Sequence, residues 1–426
     1  MSETVAIASS RVLVGTSLIP ATVVIGDEVI TEVTPGGPTG EAEDLGDLVI
    51  MPALVDTHVH VNDPGRTEWE GFTTATAAAA AGGVAFIVDM PLNSIPPTTT
   101  VAALRIKQKA AKRGMVDMGF WGGIVPGSLG DVAALAAAGV FGFKVFLVPS
   151  GVNEFPCIAL RDLDAALEAV AEVGLPLLVH AEAPGPIEAA PPPGADYASY
   201  LASRPPEAEV EAIEALIAAV RRTGGTAHVL HLSAAAAVPA LTAARADGLP
   251  ITVETCPHYL ALCAEDVPQG GLDFKCAPPI REAANREALW RALATGVIDM
   301  VVSDHSPCPA SLKADGFANA WGGIGSLELR LPVVWTEASA RGHGIADVAR
   351  WLCSGPGSLV GRSATIRPGE PADLVVWDPE ATFIVDPDRL AQRHKITPYA
   401  GRTLRGAVTR TLVRGRPGPG KLVEHP

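Results

Sequence analysis

The chain alternates between short apolar runs and alanine-rich amphipathic stretches over most of its length. Apolar runs that end in polar turns predict strands, and the alanine-rich stretches between them predict helices. From residue 49 onward the two kinds of segment alternate regularly, and eight apolar runs predict buried strands. These predicted strands are Val49 to His58, Val84 to Met90, Val116 to Ile124, Val140 to Val148, Leu175 to Ala181, Thr226 to Leu232, Ile251 to Cys256 and Ile298 to Asp304.

Helical segments connect the predicted strands. They include TTATAAAAAGG, AALRIKQKAAKRG, LRDLDAALEAVAEVG, EVEAIEALIAAVRRTGG and AAAAVPALTAARADG, and each ends near a glycine that can cap a helix. Eight near-continuous apolar strands alternating with helices predict an α/β fold, a (β/α)8 TIM barrel over residues 51–364. The proline-rich connection from Ala183 to Pro206 would lie at the barrel mouth, where connections of that length often act as lids.

The two ends of the chain show a different pattern. Short runs of alternating apolar and polar residues, VAIASSRVLVG and ATVVIGDEVITEVTP, precede the barrel. The same pattern returns after residue 365 in GEPADLVVWDPEATFIV and RGAVTRTLVRGRPG. We therefore predict that residues 1–50 and 365–426 form one discontinuous, β-sandwich-like module beside the barrel.

Composition and charge restrict the kinds of partner. The 426 residues are 48% apolar and 19% charged, which is typical of a globular chain with a large core. With 32 basic and 47 acidic residues the net charge is −15, and no basic cluster occurs, so nucleic acid is not an expected partner. No segment predicts a secretion signal or a membrane span, and the six cysteines form no CxxC pair. We expect a cytoplasmic protein without a membrane partner.

Polar residues occur where the predicted strands end, which is the active-site end of a barrel of this kind. His58 and His60 end the first strand with a spacing that places both imidazoles on one face. A single histidine at a strand end is more often a hydrogen-bonded core group, but several converging with an aspartate predict a metal centre. The other polar residues at these strand ends are Lys144, His180, His231 and Asp304.

Lys144 is the least expected of these residues, because an ammonium group among apolar neighbours is disfavoured by desolvation. It should be neutral, paired or chemically changed. An amine that has added carbon dioxide becomes a carbamate (N6-carboxylysine), an anion whose two oxygens can bridge two cations. Two metals roughly 3.5–4 Å apart can share a hydroxide that attacks a carbonyl at neutral pH. Imidazole and carboxylate-type ligands suit Zn²⁺ and also Mn²⁺, Fe²⁺ or Co²⁺.

Nine longer segments distinguish the chain: PALVDTHVHVNDPGRTEWEGF, DMPLNSIPPTT, GFKVF, VHAE, ETCPHYL, KCAPPIR, VVSDHSPCP, FANAWGGIG and HKITPYAGRT. Together they resemble the allantoinase family of the cyclic amidohydrolases, which also include dihydroorotases and hydantoinases. The resemblance extends from the N-terminal strands to about residue 415. It implies that the substrate is allantoin, that its ring amide is hydrolysed to allantoate, and that the chain forms a homo-oligomer, a tetramer.

The resemblance also implies which residues hold the metals. His58 and His60 would bind the more buried metal, and His180 and His231 would bind the other. Lys144, as a carbamate, would bridge the two.

The remaining implied roles concern proton transfer and the substrate. Asp304 would complete the shell of the first metal and carry a proton from the bridging hydroxide to the leaving nitrogen. Backbone groups near Ala277 and Gly323 would hold the substrate ring. The sequence also offers the side chains of Asn93 and Ser306 for substrate binding.

Two positions distinguish between the possible substrates. Dihydroorotases that resemble this chain carry an arginine where it has Asn62, and hydantoinases carry a tyrosine where it has Pro149. Both departures favour allantoin, with a broader-specificity hydantoinase or dihydropyrimidinase, or a dihydroorotase, as the alternatives. A non-catalytic relative is a further alternative, but such relatives have lost metal ligands and all six ligand positions are filled here.

Other polar residues are expected to have structural or supporting roles. Arg66 and Glu70 are predicted to form an ion pair within the first loop. His228 precedes the sixth-strand histidine by three residues, an offset that points it away from the metal face. His258 and His305 adjoin the predicted site, and we expect them to support the residues that form it.

Overall fold

The structure is a computed structural model that describes residues 4–112 and 114–425. Predictions that extend over residues 1–3, 113 or 426 lie outside the described residues at those positions. The strands are β1 (Val5–Val14), β2 (Ser17–Gly26), β3 (Val29–Pro35), β4 (Glu43–Asp44), β5 (Val49–Pro52), β6 (Leu54–Val59), β7 (Val84–Asp89), β8 (Asp117–Phe120), β9 (Gly122–Gly123), β10 (Phe143–Phe146), β11 (Leu177–His180), β12 (Ala227–Val229), β13 (Ile251–Thr255), β14 (Met300–Val301), β15 (Leu374–Ile384) and β16 (Thr403–Leu412). The helices are α1 (Phe72–Ala81), α2 (Val101–Ala110), α3 (Val132–Ala137), α4 (Leu163–Ala171), α5 (Pro184–Ala189), α6 (Tyr197–Ala202), α7 (Pro206–Thr223), α8 (Val238–Ala246), α9 (Pro257–Ala261), α10 (Ala283–Ala294), α11 (Gly316–Asn319), α12 (Arg330–Ala340), α13 (Ile345–Ala349) and α14 (Gly355–Leu359).

The middle of the chain forms a barrel of parallel strands. Strands β6, β7 and β8 pair in that order, and β9 to β14 pair in a second run. The predicted third strand is divided at Trp121 into β8 and β9, which link the two runs. A parallel bridge between Val59 and His305 closes the barrel, and the His60 N–H donates to the His305 carbonyl at 2.8 Å. The predicted (β/α)8 barrel is confirmed.

The predicted first strand, Val49 to His58, is wrong in its extent. It consists of β5, which pairs with β1 and β15 in another sheet, and β6, which begins the barrel. Pro52 ends β5, because proline has no backbone N–H for a further ladder bond. The apolar run is continuous across both strands, so its hydrophobicity gave no sign of the break.

Strands from both ends of the chain share one seven-stranded sheet. Its order is β16-β15-β5-β1-β2-β3, with β4 beside β1. Buried residues from both ends, including Ile7, Ile50 and Leu374, form a hydrophobic cluster separate from the barrel core. The two chain ends therefore build a common layer, whereas its sandwich-like packing and the module boundaries at residues 50 and 365 stay predictions.

Alanine-rich helices pack closely on the barrel. In α1, Ala75, Ala78 and Ala79 are fully buried, and their small side chains let the helix approach β7. Helix α7 ends as the sequence predicts, with Gly224 in the left-handed region at φ 70°. Across residues 4–112 and 114–425, no helix is both long and apolar enough to span a membrane.

A buried ion pair joins α12 to the first barrel strand. The Nη1 atom of Arg330 lies 3.3 Å from Oδ2 of Asp56 and donates to the Val55 carbonyl at 2.9 Å. Both charged side chains are fully buried. Each charge therefore depends on the other to offset its loss of hydration.

We expect Arg330→Met to lower the free energy of unfolding by about 3–5 kcal/mol, because Asp56 is left buried and unpaired. Urea denaturation would measure this loss. The control is Arg350→Met, which removes an exposed arginine 3.8 Å from Asp347 and should cost less than about 1 kcal/mol. Equal losses in the two variants would contradict the importance of burial.

Candidate metal centre

The polar strand ends meet at one end of the barrel around a cavity of about 420 Å³. His58 and Asn62 are buried behind its wall. The long connection predicted as a lid contributes α5 and α6 and also borders the cavity. The predicted residues that line the cavity are His60, Asn93, Lys144, Pro149, His180, His231, Ala277, Asp304, Ser306 and Gly323.

Three donors converge beside β6. Asp304 Oδ1 lies 3.2 Å from His58 Nε2 and 3.5 Å from His60 Nε2. One ligand atom from each of the three residues lies within 4.8 Å of the others. This spacing suits a single cation held by two imidazoles and a carboxylate.

The second pair of histidines lies next to the first. The ring centroids of His180 and His231 are 4.6 Å apart, and that of His231 is 5.4 Å from that of His58. Among the described residues, the buried Nδ1 of His231 has no hydrogen-bond partner, so a metal ion would satisfy it. Lys144 Nζ lies 3.3 Å from His58 Nε2 and therefore reaches the same space.

Burial sets the protonation of these groups. It lowers the pKa of His60 to about 3 and also lowers the pKa values of His180 and His231. All three imidazoles are thus neutral at pH 7, the form that binds metals. Burial also lowers the pKa of Lys144 to about 8, so more of its amine is in the neutral form that can add carbon dioxide.

Asp304 is a buried carboxylate that stays ionised. Burial alone would raise its pKa, but the nearby His58 and the hydrogen bond from His60 hold that pKa well below the usual value. The residue therefore presents a negative charge toward the cavity at neutral pH.

Backbone strain is concentrated at the site. Asn62 and Asn93 have φ values of 64°, and His231 and Asp304 have φ values of 34° and 45°. Such conformations cost roughly 1–3 kcal/mol each for residues other than glycine and persist only where the surroundings impose them. Three of these residues, Asn93, His231 and Asp304, have side chains that line the cavity, and no sequence signal identified the strained conformations.

Glu254 is a supporting residue that sequence reasoning missed. Its Oε1 accepts a hydrogen bond from His58 Nδ1 at 2.5 Å, and its Oε2 accepts one from His228 Nε2 at 3.0 Å. A carboxylate can only accept, so His58 carries its proton on Nδ1 and presents the Nε2 lone pair to the site. His228, which also lies 2.7 Å from the Thr252 hydroxyl, holds Glu254 from behind. The sequence did contain a signal for Glu254, because it is a charged residue within the buried strand β13.

Glu182 supports the other pair of histidines in the same way. It accepts a hydrogen bond from His180 Nε2 at 2.7 Å, which leaves His180 Nδ1 for a metal. Arg204 donates to both oxygens of Glu182, at 3.0 and 2.6 Å. The arginine comes from the end of the connection predicted as a lid, so that connection helps to orient a candidate ligand.

We expect Glu254→Gln to weaken metal binding by about 10–100-fold, the usual effect of removing a carboxylate behind a ligating histidine. Glutamine has the same shape as glutamate, but its amide N–H would face the N–H of one of the two histidines and could not accept a hydrogen bond from it. Competition with a chromophoric chelator would measure the affinity. Glu265→Gln is the control, because Glu265 is exposed and accepts hydrogen bonds from the Ala283 N–H at the start of α10, away from the histidines. An unchanged affinity in Glu254→Gln would contradict the supporting role.

The predicted Arg66–Glu70 ion pair is wrong. Arg66 Nη1 pairs with Glu154, and its guanidinium lies over Trp69 at 5.1 Å. Glu70 is fully buried and accepts a hydrogen bond from the Arg393 N–H at 3.1 Å. Residues four apart lie side by side regularly on a helix, but residues 66–70 are not helical, so this spacing does not by itself bring the two side chains together.

Comparison with known proteins agrees with the fold. The sequence matches the amidohydrolase family over residues 49–418, and the chain belongs to that family. It is 53% identical to the allantoinase of Streptomyces avermitilis, in an alignment that covers 96% of this chain and 93% of the relative. It is 43% identical to the allantoinase of Saccharomyces cerevisiae, in an alignment that covers 96% of this chain and 94% of the relative. It superposes on the L-hydantoinase (dihydropyrimidinase) of Arthrobacter aurescens with a TM-score of 0.91. The two sequences are 29% identical, and the superposition covers 98% of this chain and 99% of the hydantoinase. Within the amidohydrolases, the chain groups with the allantoinases.

Proposed function

We propose that this chain hydrolyses the ring amide of allantoin to allantoate with the help of two divalent metal ions. The observation that carries the proposal is that every predicted metal ligand lies at one end of the barrel, in a chain 53% identical to an allantoinase. A non-catalytic relative would lack one or more of these metal ligands.

The donor chemistry fits a pair of divalent metals. When bound, they would supply a water molecule ionised at neutral pH and would polarise the scissile carbonyl. We propose zinc, with manganese, cobalt and iron as alternatives, because imidazole and carboxylate donors suit all four. The residues that would hold the metals are His58, His60 and Asp304 for one, His180 and His231 for the other, and Lys144 between them.

Lys144 is proposed to carry carbon dioxide as a carbamate. Its side chain is buried, and its nearest polar neighbour is the imidazole of His58 rather than a carboxylate. An unmodified ammonium there would add positive charge where cations are to bind. Carbamylation replaces that charge with an anion and so removes the conflict.

Asp304 is proposed to move the proton. Its ionised carboxylate faces the cavity beside His58 and His60, where it can accept a proton from the attacking water. The same carboxyl, once protonated, can then donate that proton to the leaving ring nitrogen. The products are a free carboxylate and a released amide nitrogen.

The substrate would lie against Asn93, Ser306 and the loops around Ala277 and Gly323, all of which line the cavity. Gly323 shapes the wall, because a Cβ there would lie 2.3 Å from the Ser306 carbonyl oxygen. Its own N–H and carbonyl already pair with Lys275 and with Lys313, at 2.8 and 2.7 Å. The carbonyl oxygen keeps a second lone pair, so Gly323 can still accept a hydrogen bond from the substrate ring.

The surroundings favour a substrate without a carboxylate. Asn62 is buried and donates to the Pro307 carbonyl at 3.3 Å, so no cation stands where dihydroorotases carry an arginine. Pro149 lines the cavity and offers no hydroxyl where hydantoinases carry a tyrosine. The structural likeness to an L-hydantoinase makes a broader-specificity hydantoinase the second candidate function.

A substrate comparison tests the assignment. Allantoin, hydantoin, dihydrouracil and dihydroorotate would be assayed on one metal-loaded preparation, with a chelator-treated sample as the control. We expect kcat/KM for allantoin to exceed the other three values by at least about tenfold, which corresponds to 1.4 kcal/mol in the transition state. A preference for any of the other substrates would overturn the proposal.

We also propose that the chain forms a homo-oligomer, a tetramer, and acts in the cytoplasm. The first proposal follows the resemblance to the allantoinase family. The second is supported by the six cysteines, all of which are free thiols.

A further inference from the structure

A second group of metal-type donors lies beneath Asp304. Cys256 follows β13 directly, and His258 is in the short helix α9. The Cys256 sulfur, a ring nitrogen of His258 and an Asp304 oxygen all lie within 4.8 Å of one another. Cys256 and His258 are fully buried and lie outside the cavity lining, so this group is separate from the histidines described above.

His258 has no evident structural partner. Among the described residues, neither of its ring nitrogens has a hydrogen-bond partner, although the side chain is fully buried. Buried polar groups are nearly always hydrogen-bonded, because an unpaired one costs about 1–3 kcal/mol. An imidazole in this state is suited to a metal ion.

We propose that Cys256, His258 and Asp304 form a binding site for an additional soft divalent cation of the zinc and cadmium type. Sulfur, nitrogen and oxygen donors from three residues leave one position open, the composition of an exchangeable tetrahedral site. Asp304 has two carboxylate oxygens and can therefore contact this cation and the one held by His58 and His60. The thiolate selects soft cations over magnesium or manganese.

Binding at this site would release one proton. The S–H bond of Cys256 breaks, the sulfur binds the cation as a thiolate, and the proton leaves to solvent. The release of one proton per cation is therefore a signature of occupation.

Occupation would inhibit the enzyme, a consequence that rests on the proposed function of Asp304. A carboxylate held by an extra cation is less able to accept and donate a proton. The cation would enter past Asp304, whose side chain is 12% exposed at the cavity, whereas Cys256 and His258 are completely covered. A substrate in the cavity should therefore slow the inhibition.

Cadmium titration of the holoenzyme tests the site. After loading with its two metals and removal of free metal, the protein is titrated with Cd²⁺ while ultraviolet thiolate-to-cadmium absorption and proton release are recorded. Cadmium that replaces metal on histidines gives no thiolate absorption. We expect one thiolate-bound cadmium in the unmodified chain and in the control Cys276→Ser, and none in Cys256→Ser. Cys276 is the matched control because it is also buried and lines the cavity itself.

His258→Gln provides a second variant that keeps the thiol. We expect its absorption to need at least about tenfold more Cd²⁺, since one of three ligands is lost. Absorption that persists in Cys256→Ser, disappears in Cys276→Ser or is unshifted in His258→Gln would overturn the proposal. These readouts do not depend on turnover, so a failure to hydrolyse allantoin would leave them interpretable. If turnover is present, cadmium should inhibit the unmodified chain and spare Cys256→Ser.

Discussion

Replacing Asp304 with Asn is expected to reduce kcat for allantoin by about a thousandfold or more, while the barrel stays folded. An amide cannot accept the proton of the attacking water or return it to the leaving nitrogen, and proton transfer by a positioned group contributes about 10²–10⁴-fold. The carboxylate lies 3.2 Å from His58 and 3.5 Å from His60, which places it beside the proposed metal ligands and the attacking water. Steady-state kinetics with metal in excess would measure the loss.

The control for this variant is Asp273→Asn. Asp273 is a partly buried aspartate outside the cavity lining, and its replacement should change kcat by less than about twofold. Excess metal in both assays separates the proton role of Asp304 from its role as a ligand. A loss of only tenfold in Asp304→Asn would argue against proton transfer by this residue.

Replacing Lys144 with Ala is expected to abolish turnover and to lower the metal content below two ions per chain. The alanine removes the proposed bridging anion and leaves the two pairs of histidines without a shared ligand. Metal analysis after gel filtration and assay on allantoin would measure both losses. A short carboxylic acid such as acetate fits the vacated space and should restore part of the activity.

Lys275→Ala is the matched control. Lys275 also lines the cavity, and burial also lowers its pKa to about 8, but its ammonium donates to the Ala320 carbonyl at 2.6 Å. Its loss should leave the metal content at two. Full activity in Lys144→Ala, or an equal loss of metal in Lys275→Ala, would refute the bridge.

The barrel was predictable because its strands are covered on both faces, which leaves near-continuous apolar runs. The same property hid the break at Pro52, since the residues on either side are equally buried although they belong to different sheets. Hydrophobicity reports burial, but it does not report which strand pairs with which.

The candidate ligands were predictable for a similar reason. Histidine and aspartate at the ends of apolar strands have no packing role that would place them there, so their recurrence was informative. Glu254 and Glu182 escaped notice because their function depends on hydrogen bonds to His58 and His180 across strands. The Arg66–Glu154 pair likewise joins loops 88 residues apart, and local sequence gave no sign of it.

The sheet that joins the two chain ends affects when folding can be completed during synthesis. Strand β5, which leads directly into the strand bearing His58, pairs with β15 through Met51 and Val375, 324 residues later in the chain. At about 5–20 residues per second, a ribosome needs roughly 16–65 s to make that intervening segment. Through this interval His58 and His60, the first two proposed metal ligands, lie in a chain that still lacks the strand pairing with β5. We therefore expect the metals to be acquired after release from the ribosome, as a final step of folding.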